Sequence, residues 1–511
     1  MTGRAIGKLS SHFFVGILGG GALLFPCVAH AGGMEYPDNG TMATGRAGAH
    51  AANPEDGLAF QYNPAGLAQP SQRGWHLHLD ARLANQAVKF TSATPGTAPI
   101  QNTAPAFLAP AGAVSYGFGR VGPLSDLTLA LGVTGPSAIG KSQYPADGAQ
   151  RYALDATDYF IAYYSAAVAA GWTHGDFSAR IGFTGQLVQG QAKFSQAVWS
   201  GIGTYDSKPT DTSNDSLATF SGSSPLIPTF VAGLSVSPVR DIDIGVSYRP
   251  RIDFNAPGTL EVGLSPIAAG IGAVTVGNSA SLQLNLAAML RAGVAWRITP
   301  RARVELDGVW EQWSSFREVR IVTNGIAIKS GMTLQPVPLP DIVFPHNMQD
   351  TYSVRLGGDV TVVDDRFIVR AGYAYETSAI PTAYVSLDFP NWQRHIAALG
   401  ASVRLWGAWL DIAYAHHFVQ TQNVTDSQVQ SQVSPKLGIM PAALPSVVGN
   451  GKYEASLDVI SLALRIPFGE LTRQPFAAPA PPVEDEPVPP YVTPSAPTPE
   501  MPSVPPNSAM Q

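Results

Sequence analysis

The chain has 511 residues, with 51 Gly, 43 Pro, 13% charged side chains and a formal net charge of -6. That balance offers no basic footprint for nucleic acid, and the length exceeds what one ordinary hydrophobic core organises. Beyond the N-terminal segment there is no run of about 18 apolar residues, so no helix is expected to span a membrane.

In chain order, residues 1–31 read as a secretory signal, with Arg4 and Lys8 ahead of the apolar stretch Phe13 to Phe25. Ala29-His30-Ala31 is an A-x-A cleavage site, so the mature chain is expected to begin at Gly32. A lipoprotein signal at Cys27 would need a small residue where Pro26 stands, and removing Cys27 leaves no cysteine.

Residues 32–73 have the pattern of neither strand nor helix. Gly40, Gly45, Gly48, Gly57 and Gly66 punctuate them, and Asn53-Pro54 and Asn63-Pro64 are turn signals. Any helices here are short, over Thr41 to Ala51, and the many alanines suit a compact segment packed inside something larger.

From residue 74 onward, period-2 alternation recurs. Trp75, Leu77, Leu79, Ala81 and Leu83 oppose His76, His78, Asp80 and Arg82. Ile242, Ile244, Val246 and Tyr248 oppose Asp241, Asp243, Ser247 and Arg249, and Leu282 to Trp296 oppose Gln283, Asn285, Arg291 and Arg297. About fourteen strands are expected, near 74–90, 105–119, 126–137, 153–173, 176–198, 226–238, 241–255, 280–298, 302–322, 351–363, 366–376, 393–406, 408–420 and 452–468.

A soluble sandwich alternates too, but three features favour a transmembrane antiparallel β-barrel. Several strands exceed the common five or six residues, and Trp and Tyr recur at the ends of apolar stripes, as in interfacial girdles. Tight turns such as Val239-Arg240 and Asp364-Asp365 alternate with long connections at 199–225, 256–279, 323–350, 377–392 and 421–451. Short periplasmic turns and long external loops produce that rhythm.

Two strands carry defects. Gly135-Pro136 interrupts the third, where a proline cannot donate to the ladder. In the last, the apolar phase shifts from Leu457 and Val459 to Ile460, Leu462 and Leu464, which predicts a bulge near Val459.

Gly45-Arg46-Ala47-Gly48 and Asn63-Pro64-Ala65, with TYSVRLGGDV at 351–360, FIVRAGYAYETSAIP at 367–381 and WLDIAYAHHFV at 409–419, carry a family resemblance. Together they resemble the plug and last strands of the FadL/TodX-type (OMPP1) outer-membrane transporters of hydrophobic compounds. The resemblance implies a monomeric fourteen-stranded barrel at 74–468, closed by an N-terminal hatch at 32–73. It also implies passive uptake of long-chain fatty acids or aromatic hydrocarbons, captured at external loops, passed to an inner pocket and released sideways at the kinked third strand. Asn63, Pro64, Ala65, Gly135 and Pro136 fall where hatch and gate are expected. The bilayer and a hydrophobic small molecule are the implied partners, with no cofactor.

A fatty acid needs one cation beside an apolar tunnel. Lys193 on the fifth strand is the first candidate and Arg291, flanked by Met289 and Gly293, the second. Loop 256–279 is apolar for an external loop, and Leu264, Ile267 and Ile271 are its candidate ligand contacts, self-packing being the alternative. Catalytic and metal readings are poor. His416-His417 point to opposite faces, His76 and His78 lack a completing trio of ligands, and no nucleophile elbow or phosphate loop occurs.

The chain departs from the family at 469–511, a Pro-rich tail with Glu484, Asp485 and Glu486. Its composition predicts an extended, disordered periplasmic segment able to hold a partner. The other readings are a general porin for polar solutes, against which the long plug speaks, and a structural anchor acting through the tail.

Overall fold

Segments with one lipid-facing and one luminal face satisfy every backbone group in a bilayer only by closing on themselves. The computed structural model describes residues 39–135, 140–200, 211–330, 335–390, 392–435 and 444–468. The expected signal peptide, Pro136 and the Pro-rich tail lie outside the described residues. Fourteen antiparallel strands form a closed barrel. They are β1 (Gly74–Ser92), β2 (Phe107–Val121), β3 (Leu124–Thr134), β4 (Ala156–His174), β5 (Phe177–Trp199), β6 (Ile227–Val239) and β7 (Ile242–Arg249). They continue as β8 (Met289–Thr299), β9 (Ala302–Glu311), β10 (Thr351–Val363), β11 (Phe367–Glu376), β12 (Arg394–Leu405), β13 (Ala408–Val419) and β14 (Gly451–Pro467). Closure comes from β1 against β14, in unbroken register from His76↔Pro467 to Ser92↔Gly451.

The alternation places the faces as expected. Trp75, Leu79 and Leu83 are exposed on the outer wall, and His78, Asp80 and Arg82 are buried on the luminal side. The predicted bulge in the last strand is absent, a correction. Val459 and Ala463 pack inward while Ile460 and Leu462 face out, so both faces are apolar there and the phase only seemed to slip.

Two stretches expected as single strands are each two. After β7, Pro250 interrupts the ladder and Ile252–Gly263 begins; Ser279–Leu286 precedes β8 across Ala287 and Ala288. At both joints the faces exchange. Tyr248 and Leu290 face outward, but Ile252, Phe254, Leu282 and Leu286 are buried inside. These extensions pair with each other, with Asp215–Ser223 and with Glu318–Thr323, so part of the expected long loops is raised wall. Beyond the joint the apolar stripe lines the interior, and Asp253, Asn255 and Gln283 take the outside.

The wall is interrupted at β3. Its ladder with β4 stops at Thr134↔Tyr163 and resumes at Lys141↔Asp158. Across that gap, the Tyr159 amide donates to the Gly140 carbonyl at 2.8 Å, and the Gly135 amide to Pro110 on β2 at 2.7 Å.

Candidate functional site: hatch, arginine level and chamber

The described plug residues, 39–73, are nearly all buried within the barrel. Two short helices, α1 (Thr41–Gly45) and α2 (Ala59–Tyr62), are joined by turns, and wall carboxylates accept the plug's main-chain amides. Asp80 takes the Thr41 amide at 2.7 Å, Asp307 those of His50 at 2.6 Å and Ala51 at 2.8 Å, and Glu305 that of Ala52 at 2.8 Å. Arg46 binds Asp359 through Nε at 2.9 Å and through its Nη2. Arg370 also reaches Asp359, at 2.8 Å, and Arg465 binds Asp411 at 2.6 Å. Such pairing is what buried charges require.

Inward glycines let the plug backbone lie directly on the strands. A Cβ at Gly182 would stand 2.2 Å from the Pro64 carbonyl carbon, and one at Gly372 2.1 Å from that of Arg46. Asn63, Pro64 and Ala65 therefore dock on β5 and β6. The Asn63 Nδ2 donates to the carbonyls of Ala51 at 2.9 Å and Leu234 at 3.1 Å, and its Oδ1 accepts the Ala65 amide. Phe60 meets β3 against Gly132, and Arg73 pairs with Asp126 near the other end of that strand at 2.6 Å.

Between hatch and chamber, Arg82, Arg249, Arg291, Arg355 and Arg394 are buried among Glu311 and Glu376. Glu376 pairs with Arg394 at 2.6 Å and Arg355 at 3.3 Å. Arg291 lies with its guanidinium 5.2 Å from the centre of the Tyr62 ring and forms no ion pair among the described residues. The sequence pointed to Arg291; the hatch-borne Tyr62 beneath it was missed.

Lys193 is a correction. It is exposed on the outer wall between the buried Ala192 and Phe194, opposite Asp158 of β4 in register, and cannot reach a luminal ligand. Leu264, Ile267 and Ile271 pack half-buried on Ala268, Ala273 and Ile328, the self-packed alternative, leaving Val274 and Val276 exposed. His417 is buried inward and His416 half-exposed outward against Asp458, so the two cannot share an ion.

Above the arginines the barrel interior is filled by one contiguous apolar cluster that includes Phe254, Leu286, Trp313, Phe316, Phe389 and Trp392, hereafter the chamber region. Phe107, Tyr159 and Ile161 carry this cluster to the β3 interruption, where Tyr159 stacks on Phe389 at 6.3 Å. Just below the interruption, the outer wall holds an open groove of about 870 Å³ lined by Leu79, Val114, Leu131, Val133, Tyr164 and Leu187. At the short-turn end, a vestibule of about 300 Å³ under the hatch is lined by charged groups including Arg297, Arg404 and Arg465.

A family model described as outer membrane protein transport protein (OMPP1/FadL/TodX) matches residues 22–456. Among solved structures, a FadL homologue of Pseudomonas aeruginosa is similar at TM-score 0.65 and 20% identity, covering 86% of this chain and 100% of that one. The toluene transporter TodX of P. putida is similar at 0.59 and 13%, covering 86% and 100%. The toluene transporter TbuX of Ralstonia pickettii is similar at 0.55 and 15%, covering 84% and 99%. No curated protein matches the sequence.

Proposed function

The chain belongs to the OMPP1/FadL/TodX family of outer-membrane transport proteins, and from that premise we propose that it takes up long-chain fatty acids or similar acid-bearing hydrophobes. The observation that carries this reading is Arg291, a buried guanidinium with an aromatic ring and no carboxylate as its described partner, beneath the apolar cluster of the barrel interior. An alkyl chain finds its match in the cluster around Phe254, Phe316 and Phe389. The ionised head group finds a charge-assisted donor that is not already spent on a carboxylate.

The ligand leaves through the wall. The hatch stands across the axial path, held to β1, β7, β9 and β10 by the carboxylates that accept its amides and side chains. The interrupted β3–β4 ladder is flanked inside by Phe107, Tyr159 and Ile161, and outside by the groove at Leu131 and Tyr164. An apolar molecule passing there never crosses the charged vestibule.

Binding of oleate and oleyl alcohol to the wild-type protein and to Arg291→Met tests the reading. Oleate affinity is expected to fall about tenfold or more, the value of a hydrogen bond to a charged group, with the alcohol little changed. Equal effects on both ligands, with toluene taken up unchanged, would instead support a channel for aromatic hydrocarbons.

A further inference from the structure

Most arginines of the membrane-level wall face inward, while Arg251 and Arg320 face outward on the raised wall beyond it. The inward arginines line the lumen or its short-turn mouth. Of the five lysines among the described residues, Lys89, Lys141, Lys193 and Lys452 all stand on the outer face of the wall. Each flanks inward residues that are buried: Val88 and Phe90, Ser142, Ala192 and Phe194, and Tyr453. The strands that carry them are contiguous. β14 pairs with β1, β1 with Ile100–Gln101, the Thr103 amide with the Gln143 carbonyl, and Lys141–Gln143 with β4, which pairs with β5.

The carboxylates set among them are Glu454 and Asp158, and each is shared. Glu454 lies 2.7 Å from Lys452 and 4.0 Å from Lys89. Asp158 lies 2.8 Å from Lys141 and faces Lys193 in register. Four ammoniums against two carboxylates leave the belt positive, with Lys89, Lys141 and Lys452 each 46–48% exposed.

Height decides what this belt meets. Lys89 and Lys193 stand six residues beyond the outward Leu83 and Leu187. At about 3.3 Å per residue and the usual strand tilt, that is about 15 Å above those two leucines, and about two residues above the outward Phe160, which faces Gln191, and Phe418, which faces Ala87 through Ser456. The headgroup layer of an ordinary bilayer is about 5–8 Å deep on each side, so these two ammoniums stand at its level, where lipid phosphates lie. We propose that Lys89, Lys141, Lys193 and Lys452 form a docking belt for the phosphate groups of an outer-leaflet glycolipid, seated along the wall from β14 to β5. A lysine is suited to this task. Its flexible stem follows the wall while a compact charge with three donors meets phosphate oxygens from several directions.

The test uses the full-length protein in detergent. The probes are bis-phosphorylated lipid A, the same lipid A with its phosphates removed, and phosphatidylglycerol vesicles, with retention read by native mass spectrometry or flotation. Bis-phosphorylated lipid A should be retained by the wild type and by a variant with all four lysines changed to Arg. The corresponding Gln variant should lose retention by about tenfold or more. Asp158→Asn with Glu454→Gln removes the competing carboxylates and should strengthen retention, which keeps the idea testable if the Gln variant folds poorly. Equal retention of phosphate-free lipid A would overturn the proposal, as would equal retention by the Gln variant. So would a preference for phosphatidylglycerol, or retention that depends on divalent cations and is weakened in the Asp158→Asn, Glu454→Gln protein.

Discussion

Asp307 of β9 holds the hatch at His50 by the main chain: one carboxylate oxygen accepts the His50 amide at 2.6 Å and the Ala51 amide at 2.8 Å. A single acceptor oxygen here satisfies two buried donors that water does not reach. Asp307→Ala strands both amides, at about 1–3 kcal/mol for each unsatisfied group. The barrel should persist while the hatch loosens, visible as raised small-ion conductance in planar bilayers. Wild-type conductance from a folded Asp307→Ala barrel would show that this carboxylate does not hold the hatch closed.

Close approach of backbone to backbone fixes the other side of the hatch. A Cβ at Gly182 would lie 2.2 Å from the Pro64 carbonyl carbon, and one at Gly233 2.1 Å from the Asn63 Oδ1. The first neighbour is backbone, and the second is a short side-chain end held by the Ala65 amide. Gly182→Val should therefore displace Asn63 to Leu67 from β5, at a cost of at least about 1–3 kcal/mol from overpacking. Faster proteolysis of residues 60–70 in the folded barrel is the expected readout. Unaltered protection would mean that the hatch can shift at no cost.

Those glycines mark where the sequence was legible and where it was not. Period 2 gave the wall, because lipid on one side and charge on the other leave Leu79 and Asp80 no choice of face. The same rule singled out Arg291. It failed for Lys193 because β5 carries Gln189 and Gln191 rather than an apolar stripe there, so parity alone could not tell inside from outside. It failed again across Pro250 and Ala287-Ala288, where the faces exchange as apolar residues move from lipid to lumen. Docking of Asn63 on Gly233 joins residues far apart in the chain. Its one local trace is that several wall strands near the hatch carry an inward glycine, such as Gly132, Gly182, Gly233, Gly245, Gly357 and Gly372.

On the proposed lateral route, the interrupted β3–β4 wall separates capture from release. Ile161 is buried on the chamber side of the unpaired stretch and makes part of its apolar lining. Ile161→Asp places a charge on that path, which costs an apolar ligand contact and adds a desolvation penalty. Uptake by cells should fall several-fold while oleate affinity of the purified protein stays within about twofold, since Arg291 and the upper chamber are untouched. Parallel losses of uptake and affinity would place Ile161 in the binding pocket instead of on the exit.

The loops that meet at His346 and Asp388 pack over Phe316 and Phe389 of the apolar cluster, and this cover carries a pH dependence. His346 is buried with Nε2 at 2.8 Å from Asp388 and Nδ1 at 2.9 Å from the Phe344 carbonyl, and its ring packs against Phe316 and Phe389. Burial alone would lower the imidazole, but Asp388 and the Phe344 carbonyl outweigh it and hold His346 above its ordinary value of 6.5. Burial likewise pushes Asp388 up, and His346, Ser386 and the Asp388 amide hold it below its ordinary 3.8. The histidine contribution is thus complete below pH 6.5 and is lost as pH rises through the raised value. The aspartate contribution is present above the ordinary carboxylate range and is lost as pH falls through the lowered one. The cover is tightest between these limits. Amide hydrogen exchange over residues 344–348 and 386–390 should therefore speed up on the alkaline side, beyond the intrinsic effect of pH on exchange. Asp388→Asn removes the main group that raises His346, so its protection should be lost at a lower pH. A folded Asp388→Asn protein with the wild-type profile would show that this pair does not govern the cover.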